Sequence, residues 1–184
     1  MKTRKSVVAV ITALLCILLM SMTASAKSST VATIGSKKYT SLSTAFKKVK
    51  KGETIVLKQN VTVTKPLTLT RNVNFTLDLN KKTITFKNKN TASNSIFIGL
   101  RISKGNITIK NGTMRQTYVK GELIWVEKKA SVTIKNGTYI GVIENSGKMT
   151  IDKGSFRTFS DLEKAEWYGY IMLINTGTMT VNGG

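Results

Sequence analysis

Four stretches of this chain align with one another without a gap: RISKGNITIKNGTMR from Arg101, VEKKASVTIKNGTYI from Val126, IENSGKMTIDKGSFR from Ile143 and LINTGTMTVNGG from Leu173. Repetition of this kind means that one supersecondary unit recurs and that its neighbours complete its core. Thr108, Thr133, Thr150 and Thr180 share a column, preceded by Ile107, Val132, Met149 and Met179 and followed by Ile109, Ile134, Ile151 and Val181. That is a strand with two apolar residues on one face and a threonine on the other. Gly112, Gly137, Gly154 and Gly184 share a turn column where a corner calls for positive φ, and Gly105, Ala130, Gly147 and Gly177 share a second. A weaker fifth copy, LNKKTITFKNKNT from Leu79, puts Thr85 in the threonine column and Lys89 in place of glycine.

The spacing of the copies decides the architecture. Thr133 to Thr150 is 17 residues and Thr150 to Thr180 is 30. A rigid motif at variable spacing describes a coil with loops, so each copy reads as one turn of a parallel solenoid, with aliphatic ladders inside and Thr or Asn ladders outside. The 17 residues from Thr133 to Thr150, and the 25 from Thr108 to Thr133, are not multiples of six, which disfavours left-handed solenoids built on six-residue units. A β-sandwich or jelly roll stays open, because periodic strands alone do not prove stacking. The 17-residue coil makes the tightest demand, a short turn at every corner.

Upstream of the repeats, Leu42, Ala45, Phe46 and Val49 recur at i, i+3, i+4 and i+7, with Ser41 as a cap and Gly52 as a stop. A short amphipathic helix is predicted there. The period then changes to two in ETIVL, VTVT, LTLT and FTLDL, with Pro66 between two strands, where a missing N–H costs least. Ahead of all this stand basic Lys2, Arg4 and Lys5, an uncharged apolar run from Val7 to Met20, and Ala24-Ser25-Ala26. This is the pattern of a signal peptide cleaved before Lys27, and the apolar run is shorter than the roughly 20 residues that span a bilayer. The expected division is 1–26 signal peptide, 27–52 N-terminal strand and capping helix, and 53–184 β-helix coils. The protein is expected to be secreted or extracellular, with cell-surface association as one form of that, and without a transmembrane anchor. Cys16 follows Leu14 and Leu15 rather than a small residue, so lipidation is not expected, and residues 27–184 contain no Cys for a disulfide.

Composition narrows the chemistry. With no His, the chain has no Ser-His-Asp triad, His-Cys dyad or imidazole metal site. Its 29 Lys+Arg against 9 Asp+Glu imply anionic company, and outside a cell that means teichoic-type polymers, acidic polysaccharides or DNA. No nucleic-acid motif supports the last, and a lysine-rich solvated surface is the plain alternative. Five Asn-x-Thr sequons, at Asn60, Asn74, Asn106, Asn111 and Asn136, reflect what stacked turns and outward strand faces prefer.

From Val31 to Gly184 the chain resembles the secreted right-handed parallel β-helix proteins of the pectate-lyase-like superfamily. The lead-in VATIGSKKYTSLSTAFKKVKKGETIVL, then TLDLNKKTITF and the recurring TIKNGT, carry the likeness. It implies an all-β, right-handed parallel β-helix: a prism of three sheets plugged at one end by a capping helix. It says little about activity, because the superfamily spans lyases, hydrolases, epimerases, adhesins and structural modules. Its hydrolases use clustered Asp with a nearby His, which is missing here. Its lyases bind calcium through several carboxylates, and only Glu127 and Glu144, read as sharing one column, are weak candidates for a metal. Lys128, Lys129 and Lys148 lie near enough in sequence to neutralise them. No cofactor is expected.

Binding finds more support. After the turn Thr or Ser the next apolar strand is reached at Trp125, Val142 and Met172, in the order long, short, long, so two insertions project from one edge. The first holds Gln116, Tyr118 and Lys120. The second, SDLEKAEWYGY, pairs Ser160 with Glu163 in a capping box ahead of Trp167, Tyr168 and Tyr170. Aromatics beside carboxylates and amides grip sugar rings; the alternative is that they fold onto the solenoid flank. Arg115 and Arg157 share a column and read as ligands for an anion. The two insertions would stand roughly 10 Å apart, two rungs, over a floor of Tyr139 and Gly141. The expected role is a non-catalytic module that binds polysaccharide or an anionic cell-wall polymer. A polysaccharide lyase or related carbohydrate-active enzyme is the alternative, and a structural stalk or adhesin segment the third. The last copy stops in its turn column at Gly184, from which further coils or self-association at the C-terminal end are expected.

Overall fold

The computed structural model describes residues 29–88, 96–117, 120–157 and 173–183. The signal-peptide reading, Lys89, Gly184, Tyr118, Trp167, Tyr168 and Tyr170 lie outside them. The described chain begins with β1 (Ala32–Ile34), β2 (Lys37–Tyr39) and α1 (Leu42–Lys48). It then runs through β3 (Thr54–Leu57), β4 (Val61–Val63), β5 (Leu67–Leu69), β6 (Asn74–Asp78), β7 (Thr83–Phe86), β8 (Leu100–Ile102), β9 (Gly105–Lys110) and β10 (Thr113–Gln116). β11 (Ile124–Val126), β12 (Ala130–Ile134), β13 (Thr138–Ile140), β14 (Ile143–Asn145), β15 (Lys148–Ile151), β16 (Ser155–Arg157), β17 (Leu173–Asn175) and β18 (Thr178–Val181) complete it.

These strands form three sheets, ordered β18-β15-β12-β9-β6-β3-β1-β2, β16-β13-β10-β7-β4 and β17-β14-β11-β8-β5. From β3 on, each strand goes to the next sheet in turn, and every third one returns to the sheet it left and pairs in parallel with the previous rung. The fold is therefore an all-β parallel solenoid, and the sandwich and jelly-roll alternatives fall away. β1 and β2 differ, pairing antiparallel at the N-terminal end of the first sheet.

The register produces the expected ladders. Ile55, Leu77, Ile109, Ile134, Ile151 and Val181 stack in the first sheet, as do Phe75, Ile107, Val132, Met149 and Met179 beside them. Between them runs the threonine column, Thr54, Thr76, Thr108, Thr133, Thr150 and Thr180. The fifth copy is corrected here. Thr76, from FTLDL, occupies that column, whereas Thr85 lies in the second sheet between Thr62 and Arg115. Both segments alternate apolar with Thr, so their pattern alone could not assign them to different sheets.

The turn glycines have two different causes. Gly137 takes φ 124°, which only glycine adopts freely. At Gly112 the reason is space, since a Cβ there would sit 2.5 Å from the Lys82 carbonyl oxygen, and the positive φ of that turn (62°) falls on Asn111.

The short coil closes through Asn145, which is fully buried. Its Oδ1 accepts from Gly147 N at 3.2 Å, and its Nδ2 donates to Asn175 Oδ1 at 2.7 Å and to the Thr178 carbonyl at 3.1 Å. One side chain thus satisfies the two-residue turn 146–147 and ties it to the next rung. α1 plugs the other end, burying Leu42, Ala45 and Phe46, with the Phe46 ring edge-on to Phe75 at 5.3 Å. Ser41 caps its start through Thr44 N, as expected, but it stops at Val49 rather than Gly52. Arg71 donates to the Phe46 and Val49 carbonyls at 2.8 and 3.0 Å, satisfying groups a helix end leaves open.

Burial falls off at the last rung, where Leu173 is 39% and Val181 60% exposed while Ile109 and Ile134 are at 0%. We therefore expect Ile109→Ala to cost about 2–5 kcal/mol and Val181→Ala under about 0.5 kcal/mol. Urea denaturation of the two variants reads the difference, and equal shifts would mean that ladder burial does not set stability.

Candidate functional site

Each strand of the third sheet has three residues, of which the middle one faces out. The register stacks these middle residues as Thr68, Arg101, Trp125, Glu144 and Ile174. Successive members stand about 4.8 Å apart. Along one edge run the turns into the first sheet, 103–104, 127–129 and 146–147. There a cleft of about 460 Å³ opens across three rungs, lined by Arg101, Ser103, Lys104, Trp125, Glu127, Lys128, Lys129 and Ser146.

Two contacts organise this cleft. The Arg101 guanidinium lies over the Trp125 ring, 4.8 Å from its centroid. Its Nε also donates to Glu127 Oε1 at 2.5 Å. Trp125 Nε1 is buried with no hydrogen-bond partner among the described residues, an unmade bond that costs about 1–3 kcal/mol. Glu127 is the only acid among the lining residues, against Arg101, Lys104, Lys128 and Lys129, so the cleft is basic.

Glu122 lies at the opposite edge of the third sheet, in the connection that leads into β11. Partial burial, then the nearby carboxylate of Glu144, raise the Glu122 carboxyl above its ordinary value of 4.5, partly offset by a hydrogen bond from its own backbone. This corrects the paired glutamates of the sequence reading. Glu144 stands beside Trp125 in the register, and Glu127 lies in the following turn on Arg101. The gapless alignment ran through turns of unequal length, 127–129 in one coil and 146–147 in the next. Among the described residues, no three His, Cys, Asp or Glu side chains come together to hold a metal ion.

Tyr139 is also corrected. It is 1% exposed, stacked on Phe156 at 5.3 Å and donating its hydroxyl to the Asn136 carbonyl at 3.1 Å, so it cannot floor a groove. Burial pushes its phenol up. Its column, Ile84, Met114, Tyr139 and Phe156, is the inward ladder of the second sheet. That ladder was visible as an apolar column directly after the turn threonines. Gly141 is buried too. Arg115 and Arg157 do share an outward column, both exposed, but Ile140 stands between them and they belong to the second sheet, not to the cleft.

The insertion edge is where the sequence placed it. The connections from the second sheet to the third are 64–66, 87–99, 117–123, 141–142 and 158–172, and those at the other two corners are short throughout. The strands that precede the Tyr118 and Trp167 insertions, β10 and β16, flank β13 in one sheet. Gln116 is not part of the first insertion. It ends β10, buried, with its Nε2 donating to the Gly121 carbonyl at 3.2 Å and its Oε1 accepting from Val142 N at 3.3 Å. Sequence reasoning missed Arg101 and Trp125 as a pair. Both were in plain sight, but only the rung register puts one on the other.

No protein-family model matches the chain, nor does any curated protein or solved structure. Among the described residues no helix is long and apolar enough to cross a membrane.

The raised Glu122 carboxyl makes a pH prediction. A carboxyl whose folded pKa is raised contributes stability that is complete below its ordinary value and lost as pH rises through the folded value. The native protein is therefore expected to lose stability relative to Glu122→Gln between about pH 4 and pH 7, and Glu144→Gln to recover part of that loss. Urea midpoints at the two pH values measure it; parallel pH profiles for all three proteins would show that Glu122 is not perturbed.

Proposed function

We propose that this chain is a secreted or cell-surface module that binds an anionic or neutral polysaccharide without cleaving it, built as a right-handed parallel β-helix of the pectate-lyase-like kind. The observation that carries the reading is the cleft of the third sheet. It combines one large aromatic face, Trp125, with a hydroxyl on each flank, Ser103 and Ser146, and a surplus of basic groups. Sugar rings stack on aromatic faces and their hydroxyls need hydrogen-bond partners, while acidic sugars also need cations. The three parallel sheets and the plugging helix support the superfamily likeness. The basic balance of the whole chain, 29 Lys+Arg against 9 Asp+Glu, favours an anionic polymer over a neutral one.

A pull-down on acidic and neutral polysaccharides at low and high salt, with products checked by mass, tests this. Binding should weaken with salt, Trp125→Ala should lower affinity about tenfold, and no shortened or unsaturated product should form. Wild-type affinity in Trp125→Ala would remove the cleft from the reading. A product would favour the lyase alternative, and absence of any binding the stalk.

A further inference from the structure

We infer that Arg101 is a ligand-responsive latch on the aromatic face of the cleft: Glu127 holds it over Trp125 in the free protein, and an anionic group on a bound glycan draws it away from both. The inference rests on the glycan-binding reading and goes further, to the residue that sets selectivity for charge.

Arg101 occupies two positions a ligand would need. Its guanidinium covers the Trp125 face at 4.8 Å, so a sugar ring cannot stack there until the side chain moves. Its Nε is committed to a carboxylate, Glu127 Oε1 at 2.5 Å. Neither contact is locked. The Arg101 and Glu127 side chains are 42% and 26% exposed, and an ion pair and a cation–π contact at such exposure are both weak. A carboxylate, sulfate or phosphate on the ligand can replace Glu127 like for like, because a guanidinium presents several donors in a planar fork. Lys104, Lys128 and Lys129 around the same cleft favour the incoming anion.

The unpaired Trp125 Nε1 points the same way. The free state leaves a covered indole N–H without an acceptor among the described residues, so rearrangement of the cleft can gain a bond there. A neutral glycan offers Arg101 only uncharged hydroxyl oxygens in place of the Glu127 carboxylate, a weaker exchange. It must displace the latch without the help of charge, which makes the closed state selective against uncharged chains.

The test uses dextran and carboxymethyl-dextran, one backbone with and without anionic groups, with dextran sulfate as a second anion. Binding is measured on the full chain with Trp167 intact, and a Trp167→Phe variant, in which Trp125 is the remaining tryptophan, is used for the fluorescence reading alone. Arg101→Ala should bind carboxymethyl-dextran about tenfold more weakly and plain dextran about threefold more tightly, an inversion that loss of a simple cationic contact does not produce. Glu127→Gln should tighten carboxymethyl-dextran roughly threefold by freeing the latch. Trp125 fluorescence should change on titration with the anionic polymer, and Arg101→Ala should show that change without ligand. Dextran sulfate behaving like carboxymethyl-dextran would assign the response to charge in general, and a weaker effect would assign it to carboxylate. If the parent binds but Arg101→Ala weakens both polymers alike, or changes neither, the latch is wrong while glycan binding stands. If neither parent nor variants bind any of the polymers, the glycan reading falls and the latch with it.

Discussion

Hydrogen bonding between successive rungs is the constraint from which the rest follows. Each strand both donates to and accepts from the neighbour on either side, and the parallel register puts equivalent residues directly above one another. A side chain that suits one rung must therefore suit a whole column. Hence aliphatic residues recur inside, and threonine recurs at Thr76, Thr108, Thr133, Thr150 and Thr180 on the outside. Turns obey the same rule. Thr138 N donates to the Gly112 carbonyl and Ser155 N to the Gly137 carbonyl, so the corners between the first and second sheets stack as the strands do.

These bonds keep the turns at two of the three corners within a few residues of one another, so the large variation leaves the coil at the third. It leaves between the second and third sheets, where connections range from 141–142 to 158–172. Gln116 shows how the shortest of them is held. Its amide spans the corner, meeting Gly121 on its own coil and Val142 on the next. At the corner into the first sheet Asn145 plays the same part. Both are amides buried in an otherwise apolar interior, and each replaces backbone bonds that the tight corner cannot make. Substituting either by an apolar residue would leave several backbone groups unpaired at once.

Much of this was legible because columns are visible in a sequence. The solenoid, the order of insertions and the helix over Leu42 to Val49 all follow from residue type at fixed spacing. The first error has a plain cause: a gapless alignment cannot see that one turn is shorter than another. Glu127 and Glu144 fell into a common column because the count ran through 127–129 and 146–147 as if they were equal. Thr85 was misassigned for a related reason, since TITF and FTLDL carry the same alternation and only pairing tells which sheet each joins. Tyr139 failed differently. A tyrosine among apolar neighbours in its column was given weight for its hydroxyl, when the ring decided its place and a backbone carbonyl sufficed for the oxygen.

The geometry of the third sheet also bears on binding against catalysis. Three-residue strands expose one side chain per rung, so the outward face offers Thr68, Arg101, Trp125, Glu144 and Ile174 in a line. Catalysis asks several groups to converge on one atom, within hydrogen-bond reach of each other. In the proposed binding role, a line of single side chains suits a ligand that is itself extended, while Arg101 and Glu127 beside it do come within that reach. Glu144 stands in the line itself, while Glu122 lies toward the insertion edge and Lys104, Lys128 and Lys129, with Glu127 among them, lie toward the other. In the proposed binding role, a chain lying along the column would meet Lys104, Lys128 and Lys129 on that second side. Arg101, set between the aromatic ring and Glu127, is the group to which the proposed latch assigns the response to a ligand's charge.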